Sequence, residues 1–161
     1  MNEYTPVELL QSVHDRSQFD CGVASLNVYL QKYALQNQKK RMIRNYVTCK
    51  AKQVVGFYSL VYGSVGQDAA PKFLLQGGGK YALPVMILAR LAVTKTEKGN
   101  GLGKALLKNA ILRTLQAADI AGLKAVFVQA KNNEVKQFYE QYGFMAIPNH
   151  PLHLFLPLNS L

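Results

Sequence analysis

Residues 85–104 read VMILARLAVTKTEKGNGLGK, and their order decides the fold. Val85 to Val93 is a continuous apolar run broken by Arg90, the pattern of a central strand buried on both faces. Lys98-Gly99-Asn100-Gly101-Leu102-Gly103-Lys104 follows, and then a helical pattern in which Leu107, Ala110, Ile111, Leu115 and Ala118 share one face. Alternating glycines let backbone approach a ligand, and a helix start leaves amide N–H groups unblocked; together they suit phosphate or pyrophosphate. The stretch is not a Walker A loop, because Lys98 stands where the first glycine belongs and Ala105 where the magnesium-binding hydroxyl would be. Nor is it a dinucleotide fingerprint, since the spacing is G-x-G-x-G. The strand before it and the helix after it favour an anion site over a plain flexible turn.

Downstream, Gly122 closes that helix, Ala125 to Ala130 reads as a second buried strand, and Asn133 to Tyr142 as a short helix ended by Gly143. Met145 to Ile147 and His153 to Leu156 are expected strands. Upstream, Thr5 to Leu10 reads as a first strand. From Val23 a helix places Leu26, Leu30, Tyr33 and Ala34 on one face and runs into a basic cluster. Tyr46 to Cys49 and Val54 to Val65 form an expected antiparallel hairpin. The stretch from Gly66 to Lys80, punctuated by Pro71 and Gly77-Gly78-Gly79, reads as a loop with a helical turn around Phe73 to Gln76. The order is a strand, a helix, a hairpin, then β-α-β-α-β-β. Neighbouring parallel strands open their carboxyl ends on one crevice, so Asn132 and the helix carrying Phe138 and Tyr139 are expected near the glycine loop's ligand.

The chain has 161 residues, 49% of them hydrophobic, and a net charge of +10. That suits one domain over residues 1–161 with a core of its own and leaves no length for a second catalytic domain. The amino-terminal residues lack the charge and apolar run of a leader, and the longest apolar stretch carries Arg90, so neither secretion nor membrane spanning is expected and the cytoplasm is the default. Two cysteines and three histidines suggest neither a disulfide framework nor a metal cluster, and Cys21 is expected to pack in the core. The charge is uneven: residues 1–30 are net −3, whereas residues 31–60 carry +7 with no acid. Such a patch attracts polyanions, nucleic acid above all, while a solvated helix face accounts for it equally well.

The glycine loop and the Phe138-Tyr139 helix resemble the GNAT family of acetyl-CoA-dependent N-acetyltransferases. Their loop motif, [Gln/Arg]-x-x-Gly-x-[Gly/Ala], is matched by Lys98 to Gly103 except for lysine at the first position. Phe19-Asp20-Cys21-Gly22, Leu26-Asn27, Leu30, Ala34, Gln38, Tyr46-Val47 and Leu88 to Val93 extend the likeness over nearly the whole chain, toward the GNAT toxins of type II toxin–antitoxin pairs. The resemblance implies an α/β (α+β) fold: a single GNAT-like domain with a central mixed, mostly antiparallel sheet, a splayed parallel pair at the acetyl-CoA site, and helices on both faces. It implies acetylation of the free α-amino group of aminoacyl-tRNA, which blocks translation, a ribbon-helix-helix antitoxin as partner, and a homodimer. Leu91, Ala92 and Val93 would hold the pantetheine arm and acetyl carbonyl. Lys98, Gly99, Asn100, Gly101, Leu102, Gly103, Lys104 and Ala105 would hold the pyrophosphate, with Asn132 and Phe138 also on the cofactor. The family's catalytic tyrosine falls on Tyr139. No metal is implied.

The residues bear on the acceptor. Acyl transfer to an amine needs a neutral nucleophile, an oxyanion donor and an acid for the leaving thiolate. A backbone N–H near Val93 can be the donor and Tyr139 the acid. No His or carboxylate occurs in Leu88 to Thr94, and the first acid beyond is Glu97. A lysine amine of pKa ~10.4 is neutral about once in 2,500 molecules at pH 7, whereas an α-amine near ~7.7–8.0 is neutral roughly one time in ten. An α-amine can therefore react without a dedicated base, although a water relay could serve a lysine. Lys32, Lys39, Lys40, Arg41, Arg44 and Arg90 are the candidates for tRNA phosphates, with a structural ion pair the alternative for Arg90. The rival functions are an N-acetyltransferase for protein lysine, N-terminal or small polyamine acceptors, and a non-catalytic RNA-binding module on the same fold.

Overall fold

The computed structural model describes residues 3–66, 69–75 and 82–160. Seven strands hydrogen-bond in the order β1-β2-β3-β4-β5-β7-β6. They are β1 (Glu8–Leu9), β2 (Arg44–Lys50), β3 (Gln53–Val65), β4 (Leu83–Val93), β5 (Ala125–Gln129), β6 (Met145–Ile147) and β7 (His150–Pro157). The helices are α1 (Ala24–Val28), α2 (Ala34–Lys39), α3 (Lys72–Leu75), α4 (Leu102–Ala118) and α5 (Asn133–Glu140), and a π-helical turn, Tyr29–Tyr33, joins α1 to α2. Within the mixed sheet β4 and β5 are parallel, while β1–β2, β2–β3, β5–β7 and β6–β7 are antiparallel. The chain divides into two compact units, Met1–Val61 with Ala89–Leu112 and Tyr62–Leu88 with Arg113–Leu161.

In the first unit the expected first strand shrinks to Glu8–Leu9. Pro6 has no N–H to give a ladder, and Thr5 bonds to Cys49 and Thr48 on its own. The hairpin is as expected, closed by Ala51 (φ 51) and Lys52 (φ 70) in the left-handed conformation of a two-residue turn. Tyr46 and Tyr58, paired in register, stack at 5.2 Å. Helix α4 comes close to β3 at Gly56, where a Cβ would lie 2.9 Å from the Leu106 Cδ1.

The π turn overturns one expectation. Its Ala34 N–H donates to the Tyr29 carbonyl instead of that of Leu30, and Arg16 Nη1 fills the vacated Leu30 oxygen at 3.2 Å. The extra residue rotates the helix, so Tyr29 enters the core with Leu30 and Ala34 while Tyr33 is 47% exposed. They pack with Leu10, Phe19, Cys21, Val47, Cys49, Val54, Phe57 and Ala92. The burial of Cys21 agrees with its expected packing role.

In the second unit β5 pairs with β7 over five residues, and Leu74, Leu83, Val85, Ala125, Ile147 and Phe155 form a core. The helical turn expected at Phe73 to Gln76 is α3, Lys72–Leu75. Gln76 and the Gly77–Gly79 run fall outside the described residues. Helix α4 ends at Ala118, before Gly122, where the N–H groups of Asp119 and Ile120 turn to carbonyls three residues back, those of Gln116 and Ala117. Helix α5 ends at Glu140, and Gly143 (φ +93) makes the expected turn.

Candidate active site

The parallel ladder between β4 and β5 has three pairs, Val85↔Ala125, Met86↔Val126 and Ile87↔Phe127, although β4 continues to Val93 and β5 to Gln129. From Leu88 onward, including Leu91, Ala92 and Val93, β4 therefore carries backbone donors and acceptors that β5 does not engage.

Beyond β4, within the first unit, a 3₁₀ turn at Lys95–Glu97 leads into the glycine loop. Gly99 (φ +86) and Gly101 (φ +82) hold a conformation that side chains resist, and open space surrounds both. The Ala105 N–H donates to the Gly101 carbonyl at 3.1 Å, so α4 starts there, and geometry leaves the N–H groups of Leu102, Gly103 and Lys104 without a helical acceptor. Open space, amide donors without a helical acceptor and a helix start fit a pyrophosphate.

Side chains fix the loop at both ends. Lys98, the departure from the family motif, donates from Nζ to the Cys21 carbonyl at 3.0 Å. Asp20 Oδ1 accepts from the Gly22 N–H and from Asn27 Nδ2, both at 3.0 Å, and Asn27 Oδ1 accepts from the Cys21 N–H. The Gly22 N–H, Asn27 and Lys95 together hold the Asp20 carboxyl below the usual carboxylate range. The Phe19-Asp20-Cys21-Gly22 signature is thus a brace for residues 94–98. On the other side Asn100 Nδ2 donates to the Tyr4 hydroxyl at 2.9 Å, and that hydroxyl donates to Glu97 Oε1 at 2.7 Å. Lys50 Nζ joins Glu97 at 3.4 Å and Glu3 at 3.1 Å. The Tyr4 hydroxyl, with Lys50 behind it, keeps the buried Glu97 carboxyl below its ordinary pKa. Sequence reasoning missed Tyr4 because nothing in its local pattern marks it.

Arg90 makes no ion pair among the described residues. Its guanidinium carbon lies 3.5 Å from the Tyr29 ring centroid, in place of the ion pair offered as its structural alternative. Tyr29 in turn donates to Asn45 Oδ1 at 2.9 Å, and Asn45 Nδ2 donates to the Ala34 carbonyl. Lys32, Lys39, Lys40, Arg41 and Arg44 are all exposed, and none is in an ion pair among the described residues. Lys39 closes α2 and Lys40 and Arg41 follow directly, where cations complement the helix dipole. That end is a Schellman motif: Met42 N–H reaches the Asn37 carbonyl and Arg41 N–H that of Gln38. Arg41, with φ 62, occupies the position that favours glycine.

The second unit holds the other expected residues. Asn132 caps α5, its Oδ1 accepting from the Val135 N–H at 2.9 Å, which gives its side chain a structural task. Phe138 lies edge-on to Tyr139 at 5.1 Å and to Tyr142 at 5.3 Å, and Tyr139 packs on Phe144. Tyr139 is 5% exposed. Burial pushes its phenol well above the ordinary tyrosine value, so it stays protonated throughout the neutral range.

The mixed sheet with its parallel β4–β5 pair and the glycine loop at the start of α4 are those of an acetyltransferase fold, and the family model for the acetyltransferase (GNAT) domain matches residues 42–146. The chain belongs to the GNAT family and is an acetyl-CoA-dependent acetyltransferase. Among its relatives is a "tRNA-acetylating toxin" of Mycobacterium tuberculosis, 41% identical over 156 residues that cover 97% of this chain and 93% of the relative. A solved structure of AtaT complexed with acetyl-methionyl-tRNAfMet superposes with a TM-score of 0.90 at 27% identity, covering 98% of this chain and 96% of that one. A mutant AtaT toxin bound to the C-terminus of the antitoxin AtaR and acetyl-CoA gives a TM-score of 0.85 at 26% identity, covering 99% and 96%. Among the described residues no helix is long and apolar enough to cross a membrane.

Proposed function

We propose that this protein is a toxin that acetylates the free α-amino group of aminoacyl-tRNA, blocks translation thereby, and is neutralised by a cognate antitoxin. The observation that carries the acceptor is the set of five exposed, unpaired cations at residues 32–44, in the same unit as the glycine loop. Unneutralised cations without a structural ion-pair task suit tRNA phosphates. The relative named for tRNA acetylation and the AtaT complexes with tRNA and antitoxin support the same reading.

Bound acetyl-CoA supplies an acetyl group activated as a thioester. Within residues 98–105 the amides of Leu102, Gly103 and Lys104 hold the pyrophosphate, those of Lys98 and Ala105 being bonded to the Lys95 and Gly101 carbonyls, and the β4 backbone at Leu91 to Val93 orients the pantetheine arm and polarises the acetyl carbonyl. Asn132 and Phe138 flank the cofactor. The neutral amine attacks the carbonyl carbon, the C–S bond breaks, and Tyr139 gives its phenolic proton to the leaving sulfur. The proton shed by the nitrogen returns to the tyrosinate through water, which balances the step. A base is dispensable because an α-amine of pKa near ~7.7–8.0 is already partly neutral at pH 7. Lys32, Lys39, Lys40, Arg41, Arg44 and Arg90 take the tRNA. A ribbon-helix-helix antitoxin, a homodimer, a cytoplasmic location and a single acetyltransferase domain over residues 1–161 complete the proposal.

Incubation with labelled acetyl-CoA and total charged tRNA, then deacylation, tests it. The label is expected on a released amino acid. Label confined to protein lysines or polyamines would replace the acceptor.

A further inference from the structure

We infer that Tyr4 is a positioning residue for the cofactor, ordering the glycine loop before acetyl-CoA arrives. The inference rests on the assignment of residues 98–105 as the holder of the pyrophosphate.

The loop needs an external brace. Asn100 lies between two glycines with φ +86 and +82, and neither has a neighbouring atom within 4 Å of a would-be Cβ. Packing therefore does not select its conformation, and fixing a residue's backbone costs roughly 1–2 kcal/mol. Were that ordering left until binding, it would be taken from the affinity. A cavity of about 290 Å³ lies between Tyr4–Val7 and the residues Asn100, Gly101 and Leu102. Hydrogen bonds from the Tyr4 hydroxyl join the amino-terminal segment to the loop beside this cavity.

Those bonds form a continuous chain from the sheet. Thr5 is pinned to β2 at the Thr48/Cys49 irregularity: its N–H donates to the Cys49 carbonyl at 2.8 Å, its Oγ1 accepts from the Cys49 N–H at 2.9 Å, and its carbonyl accepts from Thr48 Oγ1 at 2.8 Å. Thr5 thus fixes the backbone that carries Tyr4. The Tyr4 hydroxyl uses both capacities, donating to Glu97 and accepting from Asn100. Lys50 holds Glu97 from β2. The acceptor is ionised, because Glu97 titrates below its ordinary range, so the Tyr4 to Glu97 bond is charge-assisted. One phenol thereby ties the middle of the loop to the strand layer.

The test is acetyl-CoA affinity by calorimetry, with kcat and KM measured separately and amide exchange followed over residues 98–104. Tyr4→Phe is expected to weaken acetyl-CoA binding about fivefold to tenfold, raise its KM in proportion, leave kcat at saturation unchanged, and speed exchange in the loop. In an Asn100→Ala background the same substitution should add nothing. Unchanged affinity in Tyr4→Phe, or losses that multiply in the double variant, would overturn the role. If Tyr4→Phe does not fold, Glu97→Leu reads the same tie from its other end and is expected to weaken binding equally. Gly101→Val, which fills the open space at a left-handed position, serves as the control. If it too leaves affinity intact, the loop assignment fails, whereas loss there beside intact Tyr4→Phe binding removes only the role of Tyr4.

Discussion

The Arg90 guanidinium stacks on the ring of Tyr29, 3.5 Å from its centroid, and the Tyr29 hydroxyl is bonded to the buried Asn45. Strand β4 thus presents a cation whose orientation is set by the first residue of the π turn. A phenylalanine keeps the stack and loses only the hydroxyl. Tyr29→Phe is expected to cost about 1 kcal/mol of stability with the aminoacyl-tRNA KM unchanged. Tyr29→Leu is expected to raise that KM as far as Arg90→Gln does. Steady-state kinetics beside denaturant melts distinguish the two, and equal KM values for all three variants would exclude a substrate role for Arg90.

Arg41 holds a left-handed conformation at the end of α2 that glycine adopts at lower cost. Arg41→Gly is expected to stabilise the protein by about 0.5–1 kcal/mol while weakening tRNA binding and lowering the magnitude of its log–log salt slope by roughly 0.7–0.9. Titrations at several salt concentrations check it. A more stable variant with an unaltered slope would leave Arg41 without a phosphate.

Tyr139 bears on pH. Because burial raises its pKa, the phenol stays protonated through and beyond the ordinary tyrosine range, so it contributes no falling limb near neutrality. The rising limb belongs to the acceptor amine, which gains its neutral form as pH climbs through about 7.7–8.0. The rate at subsaturating tRNA should therefore rise with unit slope below that value and level off above it, up to at least pH 9. Tyr139→Phe should lower kcat by about 10²–10⁴ at unaltered acetyl-CoA affinity. A bell centred near pH 7 would point to a different acid.

The hairpin turn is a site for stabilisation. Ala51 and Lys52 both have positive φ, a conformation that Asn-Gly adopts readily. Replacing them as Ala51→Asn with Lys52→Gly is expected to add about 1 kcal/mol and raise Tm by roughly 2–4 °C. A lower Tm in calorimetry would show that the present residues have a compensating contact.

Much of this molecule is legible along the chain because the signals are local. The run Val85 to Val93, the glycines at 99, 101 and 103, and the stretches rich in Val, Tyr and Phe around Tyr46 and Phe57 each specify an element through its own backbone geometry, and so the strand, anion loop, helix and hairpin follow from short windows. The boundaries slipped where chemistry outside the window intervened. Pro6 cut β1 short, and α4 stopped before its glycine.

What only the tertiary structure decided is which side chains meet. The π turn exchanged Tyr33 for Tyr29 in the core because a diverted helical bond could be replaced by Arg16, fourteen residues away. Tyr29 then received Arg90, and Asn100 met Tyr4 across 96 residues of chain. The sequence by itself determined a glycine loop, a basic segment and an available tyrosine. How the loop is braced and where Arg90 rests depended on contacts between distant segments, which no local periodicity records, because they form only when packing brings those segments together.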